Sequence, residues 1–108
     1  MTTLPLSVPG PQPDAILLRR MAARDARALT ELQHRYSASL YALVYGILMD
    51  SDRAERLVTE VFEQLWQAAE LVTQRHAGAF SWLRHAAKKG AMKHRAVVES
   101  QKSKEVPR

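Results

Sequence analysis

The sequence predicts an all-α fold, a compact bundle of three to four helices, and three observations carry that reading. Apolar residues recur at three- and four-residue spacing through 29–48, 57–69 and 80–91, the period of helices with one dry face. Aspartates at 14, 25 and 52 stand before those runs, where helix-starting residues belong. No period-2 alternation is long enough for a strand, and the 108 residues contain no internal repeat. One domain is what this length supports.

The elements follow in order. Residues 1–13, broken by Pro5, Pro9, Pro11 and Pro13, read as a flexible leader without the cationic start of a signal peptide. Asp14 suits the N-cap of a short helix carrying Ile16, Leu17 and Met21. Asp25 suits the cap of the longest helix, whose stripe is Leu29, Leu32, Tyr36, Leu40, Leu43, Val44, Ile47 and Leu48. Gly46 is a weak point in it. After a turn at 50–52, Asp52 caps a third helix, with Glu55 in capping-box position. Leu57, Val58, Val61, Phe62, Leu65, Trp66 and Ala69 form its stripe, which fades near Glu70 or Leu71. A loop over 72–78 holds Thr73, Gln74, Arg75 and His76. The last helix starts near Ala79 and runs at least to Arg95, with Phe80, Leu83, Ala86, Ala87 and Ala91 inward. The helical domain thus covers 14–98, and 99–108 reads as a polar tail or the start of a linker.

Composition narrows function. The chain has a formal net charge of +5, yet its third helix is acidic. Glu60, Glu63 and Glu70 lie off its apolar stripe, and Asp50, Asp52 and Glu55 gather at its start. A basic protein with one acidic helix is built for two partners of different charge. The absence of cysteine excludes disulfide scaffolds and suits a cytoplasmic protein. Short, interrupted apolar runs give no membrane span. His34, His76, His85 and His94 form no HExxH or HxxxH pair, so no metal site is expected. The four glycines are scattered singly, and no catalytic triad or carboxylate pair can be argued from spacing. No enzyme and no cofactor are expected.

The last helix has the opposite charge. Arg84, Lys88 and Arg95 fall on one stripe and His85, Lys89 and Lys93 on a neighbouring one, both away from the apolar face. Such a surface neutralises phosphates, although a solvated basic face has the same pattern. Trp82 stands at the edge of the apolar stripe, placed either to stack on an unpaired base or to pack in the core. Gln74, Arg75 and His76 carry donors and acceptors suited to a base edge, as any polar loop would.

Three stretches together resemble the extracytoplasmic-function sigma factors of bacterial RNA polymerase. DSDRAERLVTEVFEQLW at 50–66 is similar to the family's region 2.2, with Ala54, Glu55, Leu57, Val58, Glu60, Val61, Phe62 and Trp66 at matching places. AGAFSWLRHAAKKGAMKHR at 77–95 resembles the following motif, and 16–48 the helices of regions 1.2 to 2.1. The resemblance implies a region 2 domain that binds core polymerase through the β′ clamp helices and recognises and melts the promoter −10 element. Polymerase contacts would then come from Asp52, Glu55, Arg56, Thr59, Glu60 and Glu63. DNA contacts would come from Gln74, Arg75, His76, Trp82, Arg84, Lys88, Lys89, Lys93 and Arg95.

The chain also departs from the family. Where the family reads A-E-D-L-V-Q-E, this sequence reads A-E-R-L-V-T-E, so Arg56 replaces an acidic residue and Thr59 a glutamine. A reversed charge against a basic partner costs on the order of several kcal/mol if desolvated. Lys93 stands where the family usually has Asp, and Gly90 weakens the same helix. No counterpart of region 4, the helix-turn-helix that reads the −35 element, is expected within these 108 residues. The departures leave an alternative open: a sigma-like interaction module that binds an anti-sigma factor or another protein without initiating transcription.

Overall fold

A computed structural model describes residues 12–75 and 78–105, and side chains as far as residue 98. Among these residues four helices follow one another: α1 (Asp14–Ala22), α2 (Ala26–Leu48), α3 (Ser51–Gln74) and α4 (Ala79–Glu105). Among the described residues there is no strand. The apolar stripes meet as their spacing demands. Leu17, Leu18 and Met21 of α1, Leu32, Leu40 and Val44 of α2, Leu57, Val61, Phe62 and Leu65 of α3, and Leu83, Ala87 and Ala91 of α4 share one core. No polar or charged side chain is buried among the described residues, so the core depends on apolar packing alone. Leu43 lies at its margin rather than inside it.

The helix starts differ from the sequence expectation at two places. Pro13, not Asp14, occupies the N-cap of α1, and no side chain caps that end. Asp14 is the first helical residue, and its carboxylate turns to α2, accepting from Arg35 Nη1 at 2.6 Å and from the Tyr36 hydroxyl at 2.5 Å. Two partners on a packed helix outcompete a local cap. At α3 the cap is Asp50, not Asp52: its extended backbone lets the side chain accept from Arg53 N at 3.1 Å. Asp52 is already inside the first turn, where its charge favours the helix dipole but its oxygen is no cap. The third residue of α3 is therefore Arg53, and the Asp52–Glu55 capping box does not form. Asp25 does cap α2, accepting from Arg27 N at 3.0 Å.

Among the described residues, two non-glycine residues take left-handed backbone angles, both where helices end. Met49, at φ 55°, closes α2 with its N–H on the Tyr45 carbonyl at 2.8 Å. Arg24, at φ 69°, lies in the turn between α1 and α2. Its guanidinium sits 5.0 Å from the Trp66 ring centre and donates to the Trp66 carbonyl at 3.2 Å. That contact offsets the roughly 1–2 kcal/mol that a left-handed residue costs.

α3 outlasts its expected end. Val72 continues the stripe beyond Leu65 and Ala69 and is buried, so the helix holds to Gln74 and the loop after it is shorter than 72–78. On α4 the inward residue of the first turn is Ala79, while Phe80 is 36% exposed and stacks on Tyr36 with ring centres 4.7 Å apart. The α4 backbone stays helical through Glu105, across residues where composition alone suggests a tail.

Candidate protein and nucleic-acid interface

The acidic character of α3 is displayed because its dry side is fully used. With Ala54, Leu57, Val58, Val61 and Phe62 buried, the opposite face must look outward. Asp52, Glu55, Arg56, Thr59, Glu60 and Glu63 are all exposed. Arg56 stands within this acidic surface, its Nε 3.5 Å from the Asp52 carbonyl oxygen. One cation among four carboxylates lowers the negative potential where a basic partner would approach.

On α4, Leu83, Ala87 and Ala91 face the core, which leaves Arg84, Lys88, Lys89, Lys93 and Arg95 exposed. These cations do not all line one groove. Lys89 and Lys93 turn toward α3, while Arg84 and Lys88 lie outside the groove between the two helices. Arg95 lines a separate cleft with Asp50 and Arg53 near the end of α2. Gln74 and Arg75 are exposed at the α3 terminus, where the Arg75 N–H donates to the Leu71 carbonyl at 3.0 Å. His76 lies outside the described residues. Trp82 is half-buried one turn into α4, its backbone N–H on the Gly78 carbonyl at 3.0 Å.

The structure thus brings together residues that the sequence assigned to different partners. Glu60 of α3 and Trp82, Lys89 and Lys93 of α4 line one groove of about 770 Å³. Its apolar lining includes Leu57, Val61, Ala86 and Val97. Gly90 makes the close approach possible: a Cβ there would stand 2.9 Å from Leu57 Cδ1. Arg53, Gln64 and Val97 also line the groove and were not singled out from the sequence. An isolated glycine inside a helix is the one sequence signal that pointed to it, since such a glycine often marks close approach.

Two groups with shifted acidity lie on the α1–α2 side. The hydrogen bond to Asp14, with burial, pushes the Tyr36 phenol above its ordinary range. Arg20, whose Nε donates to Asp25 at 3.0 Å, holds the Asp25 carboxyl below the usual value, helped by the Arg27 N–H. Neither group lies in the groove. Among the described residues no three metal-ligating side chains converge, and no helix is long and apolar enough to cross a membrane.

Known proteins give this geometry a context. The ECF RNA polymerase sigma factor SigK of Mycobacterium tuberculosis strain H37Rv is 29% identical over 83 residues, covering 77% of this chain and 41% of its own. SigK of Mycobacterium bovis strain BCG matches to the same extent. SigK of Mycolicibacterium vanbaalenii is 33% identical over 67 residues, covering 62% of this chain and 34% of its own. The chain is distantly similar to ECF sigma factors. It spans about two fifths of the length of the first of these relatives. No family model matches the chain. No solved structure matches it either.

Proposed function

We propose that this chain acts as the region 2 domain of a bacterial sigma factor, binding core RNA polymerase and recognising and melting promoter −10 DNA. The observation that carries the reading is the outward acidic face of α3, within a chain distantly similar to ECF sigma factors. In this reading Asp52, Glu55, Glu60 and Glu63 dock on the basic β′ clamp helices, and Arg56 opposes that docking. Arg84, Lys88 and Lys89 anchor phosphates, which position the strand without reading it. Gln74, Arg75 and His76 act on bases. Trp82, half-buried at the start of α4, offers its indole to an unpaired base.

The test uses core polymerase and a fluorescent promoter template. Bubble DNA should bind more tightly than closed duplex of the same sequence. Equal binding to both, with core polymerase present, would refute the reading.

A second reading rests on Arg56. Its charge sits inside the face that would meet the clamp, which favours a sigma-like module that binds an anti-sigma factor or another protein instead. Core polymerase separates the two readings, because only the first requires that the domain bind it.

A further inference from the structure

The outward face of α2 has no part in either reading of function. Residues 36–49 hold no Asp, Glu, Lys or Arg, in a chain that is 25% charged. A helix face turned to water normally carries charge. Here Ala38, Ala42, Tyr45, Gly46 and Met49 are exposed at helical spacing, Tyr45 by 40% and Met49 by 70%. Tyr41 stacks on Tyr45 with ring centres 5.9 Å apart, which sets an aromatic edge beside the small residues. Nothing lies within 4 Å of a Cβ at Gly46, so the surface is open there. Charge returns at the two ends of the face, as Glu31 and Arg35 before it and Asp50 and Arg53 after it.

We propose that this face pairs with the same face of a second copy of the chain, antiparallel about Ala42. An isologous contact brings each residue on the axis against itself, so it tolerates a neutral face and penalises a charged one. A face with neither cation nor carboxylate offers nothing to phosphate or to a charged partner. With the axis at Ala42, Ala38 of one copy faces Gly46 of the other, and small residues let the two helices approach closely. The end charges fix the direction. Antiparallel pairing sets Glu31 near Arg53 and Arg35 near Asp50 across the contact, whereas parallel pairing sets like on like. These end residues already hold partners within their own chain, so they select direction more than they add affinity. The strip from Ala38 to Met49 is about 16 Å long and one helix, about 10 Å, wide. It covers far less than the roughly 800 Å² per partner of a standard interface, so the pair is weak, with a dissociation constant on the order of 10⁻⁴ M. The inference goes beyond the sigma reading and does not depend on it, since no residue of the neutral strip is assigned to polymerase or DNA.

The test is sedimentation equilibrium of the full chain from about 10 μM to about 1 mM, a range that brackets the expected constant. The average mass should climb from one chain toward two. Ala42→Glu and Ala42→Lys each set like charges against each other on the axis, and each should weaken the pair at least about tenfold. An equimolar mixture of the two variants should pair again, because the axis then joins opposite charges. Ala42 is exposed, so the melting curve of each variant in dilute solution should stay close to that of wild type. Added salt should leave the dimer intact or tighten it, since two copies of charge +5 repel at long range. A chain that stays monomeric at the highest concentration overturns the proposal. So does a dimer indifferent to both Ala42 variants, or a mixture of them that fails to pair. A dimer that dissolves in salt overturns it too, and assigns the contact to the acidic α3 of one copy on the basic α4 of another. Polymerase binding is read separately, so failure of either proposal leaves the other standing.

Discussion

The Tyr36 hydroxyl donates to Asp14 at 2.5 Å while the Tyr36 ring stacks on Phe80, so one side chain joins α1, α2 and α4. Tyr36→Phe keeps the ring and removes the bond. The loss should be roughly 1–2 kcal/mol in urea unfolding, at the low side for a charge-assisted bond because Asp14 keeps Arg35. An unchanged midpoint would place the bond among those with no net effect.

The same bond sets a pH response. Asp14 raises the Tyr36 pKa above its ordinary 10.0, so the folded value exceeds the unfolded one. The stabilisation is then complete below about pH 10 and disappears as pH climbs through the folded value. Wild-type and Tyr36→Phe stabilities should therefore converge in alkaline buffer. A gap that persists or widens there would contradict the assignment.

Phe62 tests the core. It is 1% exposed at the centre of α3, and Phe62→Ala should cost about 3–5 kcal/mol by thermal or urea unfolding. A melting temperature equal to wild type would mean that the helices do not pack as described.

Gly46 and Gly90 form an internal comparison. Nothing lies within 4 Å of a Cβ at Gly46, so Gly46→Ala should stabilise by roughly 0.5–1 kcal/mol through helix propensity alone. At Gly90 the same gain meets a 2.9 Å contact with Leu57, and the two effects should nearly cancel. Equal stabilisation by both alanines would show that the α3–α4 approach is looser than the structure has it.

On nucleic acid, neutralising Lys88 and Lys89 together should weaken binding to all sequences alike. Each lost phosphate contact should flatten the log–log salt slope by about 0.7–0.9. Changing Gln74 should alter base preference and leave the slope in place. A Gln74 variant that changes only the slope would reverse the assigned roles.

Periodicity was enough to read the helices because each has one dry face, and Leu40, Val44, Leu57, Phe62, Leu83 and Ala87 all reach the core. The caps were less legible. Asp14 and Asp52 each stand one or two residues inside the helix, because the true start depends on tertiary partners and on the left-handed Met49. Phe80 misled for a related reason: with Ala79 inward, Tyr36 gives it a ring to stack on at the surface. The groove was the least legible feature. A helical count places Lys89 and Lys93 away from the α4 core stripe, but only the packing of α3 against α4 puts them in one groove with Glu60.

The central claim is that the acidic face of α3 docks on core polymerase, and the most direct measurement is the affinity of that complex. Arg56→Asp should tighten it and Glu60→Lys should weaken it, each by about tenfold, the scale of a charge change at an interface. If core polymerase does not bind the domain, or binds it with an affinity indifferent to both substitutions, the sigma reading is wrong and α3 serves another partner.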